Sequence, residues 1–327
     1  MSWWRAVIEA GAVAGNGGRG DESEALHQAD LVEGSELESH ALADRGAIRV
    51  PSASFLNGIE RWSVVAYDGV VQIVNAYVAA AVRRRDARGV LHTTGELRRS
   101  FAIAPRERMR LPVRQALEAA IADIEDVDGD LVDQPARYLE MIESTVRRAR
   151  AHLERELAED AVRDLGDDEW LVLDGLLSRS PAVAKHPRTL GVIKSHGAQF
   201  LEGRGLERAL TLPAGHRTSV FVVRGGHTRT EVYSWYLRLW PWEGNDLLYG
   251  LLRVEARADA ETIRRATELS GWLWAERAPL ATPAARWDRL LYPLHDVEEY
   301  LNARAPRAPG GSRTRLRARL PVGGAGA

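Results

Sequence analysis

Residues 63–74 read SVVAYDGVVQIV. Ser, Val and Tyr dominate, helix formers are scarce, and Asp68-Gly69 interrupts the apolar run. β-branched and aromatic residues around an Asp-Gly step read as two strands joined by a tight turn, or as one long strand bent there. A carboxylate set in such a run needs a partner, a shifted pKa or a bound cation. The pattern returns at residues 169–177, EWLVLDGLL, where Asp174 again precedes glycine after an apolar run.

Working outward, AIRVPS (47–52), RSFAIAP (99–105), TLGVIKSH (189–196), TSVFVVRGG (218–226), EVYSWYLRLW (231–240) and LLYGLLRVEA (247–256) also read as strands. Helical spacing marks Leu117, Ile121 and Ile124 in residues 112–126, and a long amphipathic helix spans 135–165. Two further helices are predicted at 259–277 and 293–305. Strands on either side of long helices, with a meander between, predict an α/β fold around one mixed sheet. Residues 1–49 form an acidic arm expected to be a helix or a linker, with an amphipathic start at Trp3, Trp4, Val7 and Ile8. Residues 50–304 form the body, and the Pro/Gly/Arg-rich segment 305–327 is predicted to be a disordered tail.

The chain has 327 residues, 45% hydrophobic, with a formal net charge of -2 and no cysteine. That excludes disulfide frameworks and Cys-ligated metal centres, and it excludes polyanion binding by bulk charge. Contact with nucleic acid needs a local basic surface. The candidates are RRRDAR (83–88), RRARAHLER (147–155) and SRTRLRARL (312–320). The start lacks the apolar run of a signal peptide and no stretch is long enough to span a bilayer, so no membrane association and a cytoplasmic location are expected. No Walker-type glycine loop is present, so any ATP-driven motor has to be a partner.

Asp68 and Asp174, if their strands lie side by side, would converge and favour a hard divalent cation such as Mg²⁺ or Mn²⁺. Each Asp-Gly taken alone is also an ordinary hairpin turn. The long helix offers Glu140, Glu143, Glu154 and Glu156 as a third ligand; Glu143 is preferred because it lies beside Met141 and Ile142, outside the charge-dense middle. Lys194, one of only two lysines with Lys185, can hold a phosphate or serve as a surface residue. The rings Tyr233, Trp235, Tyr236, Trp240 and Trp242 can stack single-stranded bases, although strand alternation assigns at least half of them to a core. His186, His196, His216 and His227 have no metal-ligand spacing and are expected at the surface or in loops.

The order YDGV (67–70), acidic helix, LVLDGLL (171–177), GVIKSH (191–196), RTSVFVV (217–223), YSWYLRLW (233–240), LLRVEA (251–256) and LLYPL (290–294) resembles the NurA family of nucleases from Val50 to Arg304. The resemblance implies a ribonuclease-H-like core and Mn²⁺- or Mg²⁺-dependent DNA hydrolysis in DNA end processing. It also implies a homodimer and a hexameric, DNA-translocating HerA-type ATPase as partner. It places Asp68 and Asp174 as metal ligands with Glu143 or Glu140 on the helix, and Lys194 near the scissile phosphate. The family's late histidine aligns with Tyr300 here, and His295 is the nearest imidazole that can replace it as ligand or proton shuttle. An alternative is a DNA-binding or translocase-adaptor subunit on the same fold without catalysis.

Overall fold

In the computed structural model, residues 25–26, 28–42, 52–196, 198–224, 230–243, 245–277 and 287–306 are described. The amphipathic start, His227 and the tail from 307 onward lie outside them. In chain order the elements are β1 (Ala25–Leu26), β2 (Gln28–Leu31), β3 (Ser39–Ala41), β4 (Ser52–Asp68), β5 (Val71–Arg85) and β6 (Leu91–Ala104). Next come α1 (Leu111–Ala120), β7 (Ile124–Asp126), α2 (Pro135–Arg163), β8 (Glu169–Asp174), α3 (Pro181–Ala184) and β9 (Thr189–Ile193). The remainder is β10 (Ala198–Gln199), α4 (Gly203–Leu210), β11 (His216–Thr218), β12 (Phe221–Arg224), β13 (Val232–Arg238), β14 (Leu251–Arg257), α5 (Ala260–Ala275) and α6 (Tyr292–Arg304).

The two-strand reading of the opening stretch holds. Asp68 pairs with Val71 across a two-residue turn, and Gly69 takes φ 64°, a left-handed angle that glycine adopts without a Cβ penalty. β4, β5 and β6 form an antiparallel meander; β8 joins β4 in parallel and β9 joins β8 in parallel. The twelve-stranded sheet has the order β2-β12-β13-β14-β9-β8-β4-β5-β6-β7, with β11 on β13 and β3 on β11. The architecture is α/β: a mixed sheet flanked by helices. β8 and β9 read as unbroken apolar runs because helices cover both faces of the central strands.

On one face α2 packs Ile142, Val146 and Leu153 over Leu56, Val74, Val78 and Leu173. On the other, α5 and α6 bring Trp272, Leu294 and Val297 to Phe55, Val172 and Leu252. α2 starts at Pro135, whose fixed φ suits a first helical turn, and α5 is capped by Asp259, whose carboxylate accepts the Thr262 N–H at 2.8 Å.

The acidic arm departs from expectation. Residues 28–31 and 39–41 are strands of the main sheet, not a helix or linker. The reason is a buried cation: Arg217 on β11 donates to Glu33 at 2.6 and 2.7 Å, and Glu33 also accepts the Val220 N–H at 2.8 Å. The Arg83–Arg85 run is likewise not a free basic surface. Arg83 pairs with Asp296 on α6, Arg84 with Glu169 at 2.5 Å, and Arg85 with Glu276 at 2.6 and 2.9 Å. Among the described residues no helix is long and apolar enough to cross a membrane.

One close approach sets the loop after β8. The Gly175 N–H donates to the Val192 carbonyl at 3.0 Å, and a Cβ on Gly191 would stand 2.6 Å from the Gly175 carbonyl oxygen. Because that atom is backbone, Gly191→Ala has no flexible neighbour to displace. The substitution is expected to destabilise the protein by about 1–3 kcal/mol in urea unfolding; wild-type stability in that variant would show that the turn is loosely held.

Candidate functional site

Parallel pairing places Leu56 opposite Leu173, so the next step along each strand sets Asn57-Gly58 beside Asp174-Gly175. The site therefore gathers at the carboxyl ends of β8 and β9, where ligands of open α/β sheets bind. Lys194, just past β9, donates to Asp174 Oδ2 at 2.8 Å, and its side chain is largely buried. Arg289 donates to the Lys194 carbonyl at 3.2 Å. A cleft beside Asp174 is floored by Leu56, Leu173 and Leu177 and walled by Glu154, Arg155 and Arg179.

Asn57 is fully engaged by its own surroundings. Its amide NH₂ donates to the Leu294 carbonyl on α6 at 3.1 Å, and its Oδ1 accepts the Gly58 N–H at 2.8 Å. Gly58 opens the space into which α2 sends Glu154, since a Cβ there would meet Glu154 Oε1 at 2.4 Å. Arg150 lies between two carboxylates, 3.2 Å from Glu60 and 3.3 Å from Glu154. Neither contact has hydrogen-bond geometry. Burial pushes the Glu154 pKa up to about 7. The charges of Asp174 and Glu60 act in the same direction, and Arg150 and Arg179 oppose it.

The expected metal triad is not brought together. Asp68 sits at the far end of β4, eleven residues beyond Asn57, which corresponds to roughly 35 Å of extended strand. There it receives the Arg110 backbone N–H at 2.7 Å and the Arg110 guanidinium at 2.5 Å, which together hold its carboxyl below the usual range. Its cation is the protein's own arginine. Glu143 is exposed on α2, 3.6 Å from Arg147, and about 16 Å along the helix from Glu154. Glu140 is exposed as well. Three carboxylates spread along that length cannot share one ion, so Asp68, Asp174 and Glu143 do not fit the Mn²⁺ or Mg²⁺ site that the resemblance implies.

Lys194 does reach Asp174. His295 lies in the first turn of α6, next to Leu294, which receives the Asn57 amide; its Nδ1 makes no hydrogen bond among the described residues. Tyr300 donates to Glu96 at 2.9 Å and lies under Arg83, a structural role. His196 lies in the loop after β9, while His216 is on β11; His196 stacks near Tyr236, bonds the Leu251 carbonyl at 3.1 Å, and burial pushes its pKa down to about 4. Trp235 and Tyr236 are buried, as alternation allowed. The residue that sequence reasoning passed over is Asn57. Its signal was an Asx-Gly step on the strand preceding Asp68, matching Asp174-Gly175 once the register is known.

Glu154 carries a testable consequence. Its pKa is higher in the folded chain than the ordinary 4.5, so folding binds a proton between about pH 4.5 and pH 7. The stabilisation is complete below that window and lost as pH rises through it. Relative to Glu154→Gln, the wild type is expected to lose stability, by a few kcal/mol in order of magnitude, from about pH 5 to pH 8. Urea unfolding across that range measures it, and a difference that stays constant would show Glu154 to be ionised throughout. No protein-family model matches the chain and no curated protein matches it, so the site is read from its own geometry.

Proposed function

We propose that this chain is a DNA-binding subunit without nuclease activity of its own, built on a ribonuclease-H-like sheet, which acts beside a HerA-type translocating ATPase. The strand order β6-β5-β4-β8-β9, an antiparallel meander followed by two parallel strands, supports the ribonuclease-H-like reading. The partner and a homodimeric state rest on the resemblance of the motifs.

The observation that carries the non-catalytic reading is the pair of residues at the centre of the sheet. A metal bridging β4 and β8 needs a carboxylate on each strand, and β4 offers Asn57, whose two polar ends are already bonded. Across from it, Asp174 has its charge matched by Lys194. The Asn57 amide ties β4 to the last helix and the Asp174–Lys194 pair is charge-balanced, both without a cation.

A second reading, a metal-dependent nuclease, is favoured by one observation. Glu154 and Asp174 line the same cleft, and Glu154 Oε1 accepts no hydrogen bond among the described residues. The two readings separate in one assay. With linear DNA and Mn²⁺ or Mg²⁺, the protein is expected to retard DNA without shortening it. Degradation that disappears in both Asp174→Asn and Glu154→Gln would replace the binding reading with the hydrolytic one.

A further inference from the structure

Most of the described arginines are matched by carboxylates, which makes the exceptions informative. Arg148 and Arg155 on α2, and Arg179 just after β8, are exposed and form no ion pair among the described residues. Arg148 donates to the Thr145 hydroxyl at 3.1 Å and Arg155 to His152 Nδ1 at 2.9 Å, both within the helix. Arg179 makes no hydrogen bond at all among the described residues. It ties no elements together, so packing does not account for it.

These cations share one place in the fold. Arg155 and Arg179 come from different elements and line the same cleft beside Asp174, where Ala151 and Ala158 complete the α2 wall. Positions 151, 155 and 158 lie on one face of the helix, and Arg148 extends that stripe by one turn. Between the two walls the surface is open. Gly175 takes φ 145°, which favours glycine, and a Cβ there would meet nothing within 4 Å.

The carboxylates of the neighbourhood have other partners. Asp174 is matched by Lys194 at 2.8 Å, Glu60 by Arg150 at 3.2 Å, and Glu159 accepts the Ser180 hydroxyl at 2.7 Å. Glu156 lies about 100° round the helix from Arg155. Burial keeps Glu154 partly protonated near pH 7. A guanidinium presents a planar fork of donors that fits a phosphate, and such contacts position a nucleic acid without reading its bases.

We propose that the phosphodiester backbone of bound DNA crosses the mouth of the Asp174 cleft, held by Arg155 on α2 and Arg179 after β8, with Arg148 continuing the track along the helix. The inference rests on the DNA-binding reading and adds to it the place and the chemistry of contact. Binding of this kind is indifferent to base sequence and weakens with salt, because counterions condensed on the DNA are released.

The test is fluorescence anisotropy with a labelled DNA single strand and its duplex, over a range of salt concentrations. Arg155→Gln and Arg179→Gln are each expected to weaken binding about 5-fold and to lower the slope of log affinity against log salt by about 0.7–0.9. The double variant is expected to lose about twice that slope and to melt like the wild type. Arg204→Gln removes an exposed arginine on α4 that also lacks an ion pair among the described residues. It is expected to bind within about twofold of the wild type, with an unchanged slope. If the double variant keeps the wild-type affinity and slope, or loses no more than Arg204→Gln does, the contact is overturned while the DNA-binding reading stands. If the wild type binds neither DNA, both fall together.

Discussion

The parallel pairing of β4 with β8 is the constraint on which the rest of the molecule depends. It is the junction between the antiparallel meander and the parallel pair, and both hydrophobic layers press on it. Its register decides which side chains meet. A carboxylate at one point on β8 stands next to whatever β4 brings to that level, and β4 brings Asn57-Gly58. Strand geometry allows no compromise, since a side chain eleven residues away is on another part of the surface. The amide of Asn57 then ties the sheet to α6, and the missing side chain of Gly58 admits Glu154 from α2. One dipeptide thus connects both helical layers to the strand that carries it.

Charge is arranged on the same principle. A chain of near-zero net charge that is rich in arginine could present basic faces, yet most of the arginines noted here hold elements together. Arg83 and Arg85 bridge β5 to α6 and to the end of α5, and Arg217 fastens the arm to β11. Arg253 and Glu255 form a buried pair on β14, and Glu255 also accepts the Leu177 N–H at 2.9 Å, steadying the turn that follows Asp174. Buried pairs of this kind add less to stability than their proximity suggests, because desolvation opposes the attraction; removing one partner is what costs. Their effect here is to fix which elements adjoin.

Glu154 differs from these pairs. Arg150 is shared between it and Glu60, the geometry of both contacts is poor, and burial disfavours its charged form. A group in that state, beside a carboxylate matched by a lysine, is the most responsive element of the cleft. Perturbed carboxylates of this sort gather at functional sites, where environment and not residue type sets the proton affinity.

The sequence by itself determined the strands around Asp68-Gly69, the long helix, the continuous apolar runs of β8 and β9, and the division of the aromatic strand into buried and less buried rings. Those features follow from local periodicity and turn chemistry, which need no knowledge of distant neighbours. It also marked Asp174 and Lys194, which lie twenty residues apart at the carboxyl ends of the neighbouring strands β8 and β9. Only the tertiary structure decided the partner of Asp174, the pairing of Asp68 with Arg110, the choice of Glu154 over Glu143, and the place of the acidic arm within the sheet. Each of those is a question of register or of which arginine arrives from far along the chain. Two Asp-Gly steps look alike in sequence, and the sheet separates them because one ends a hairpin and the other ends a strand at its centre.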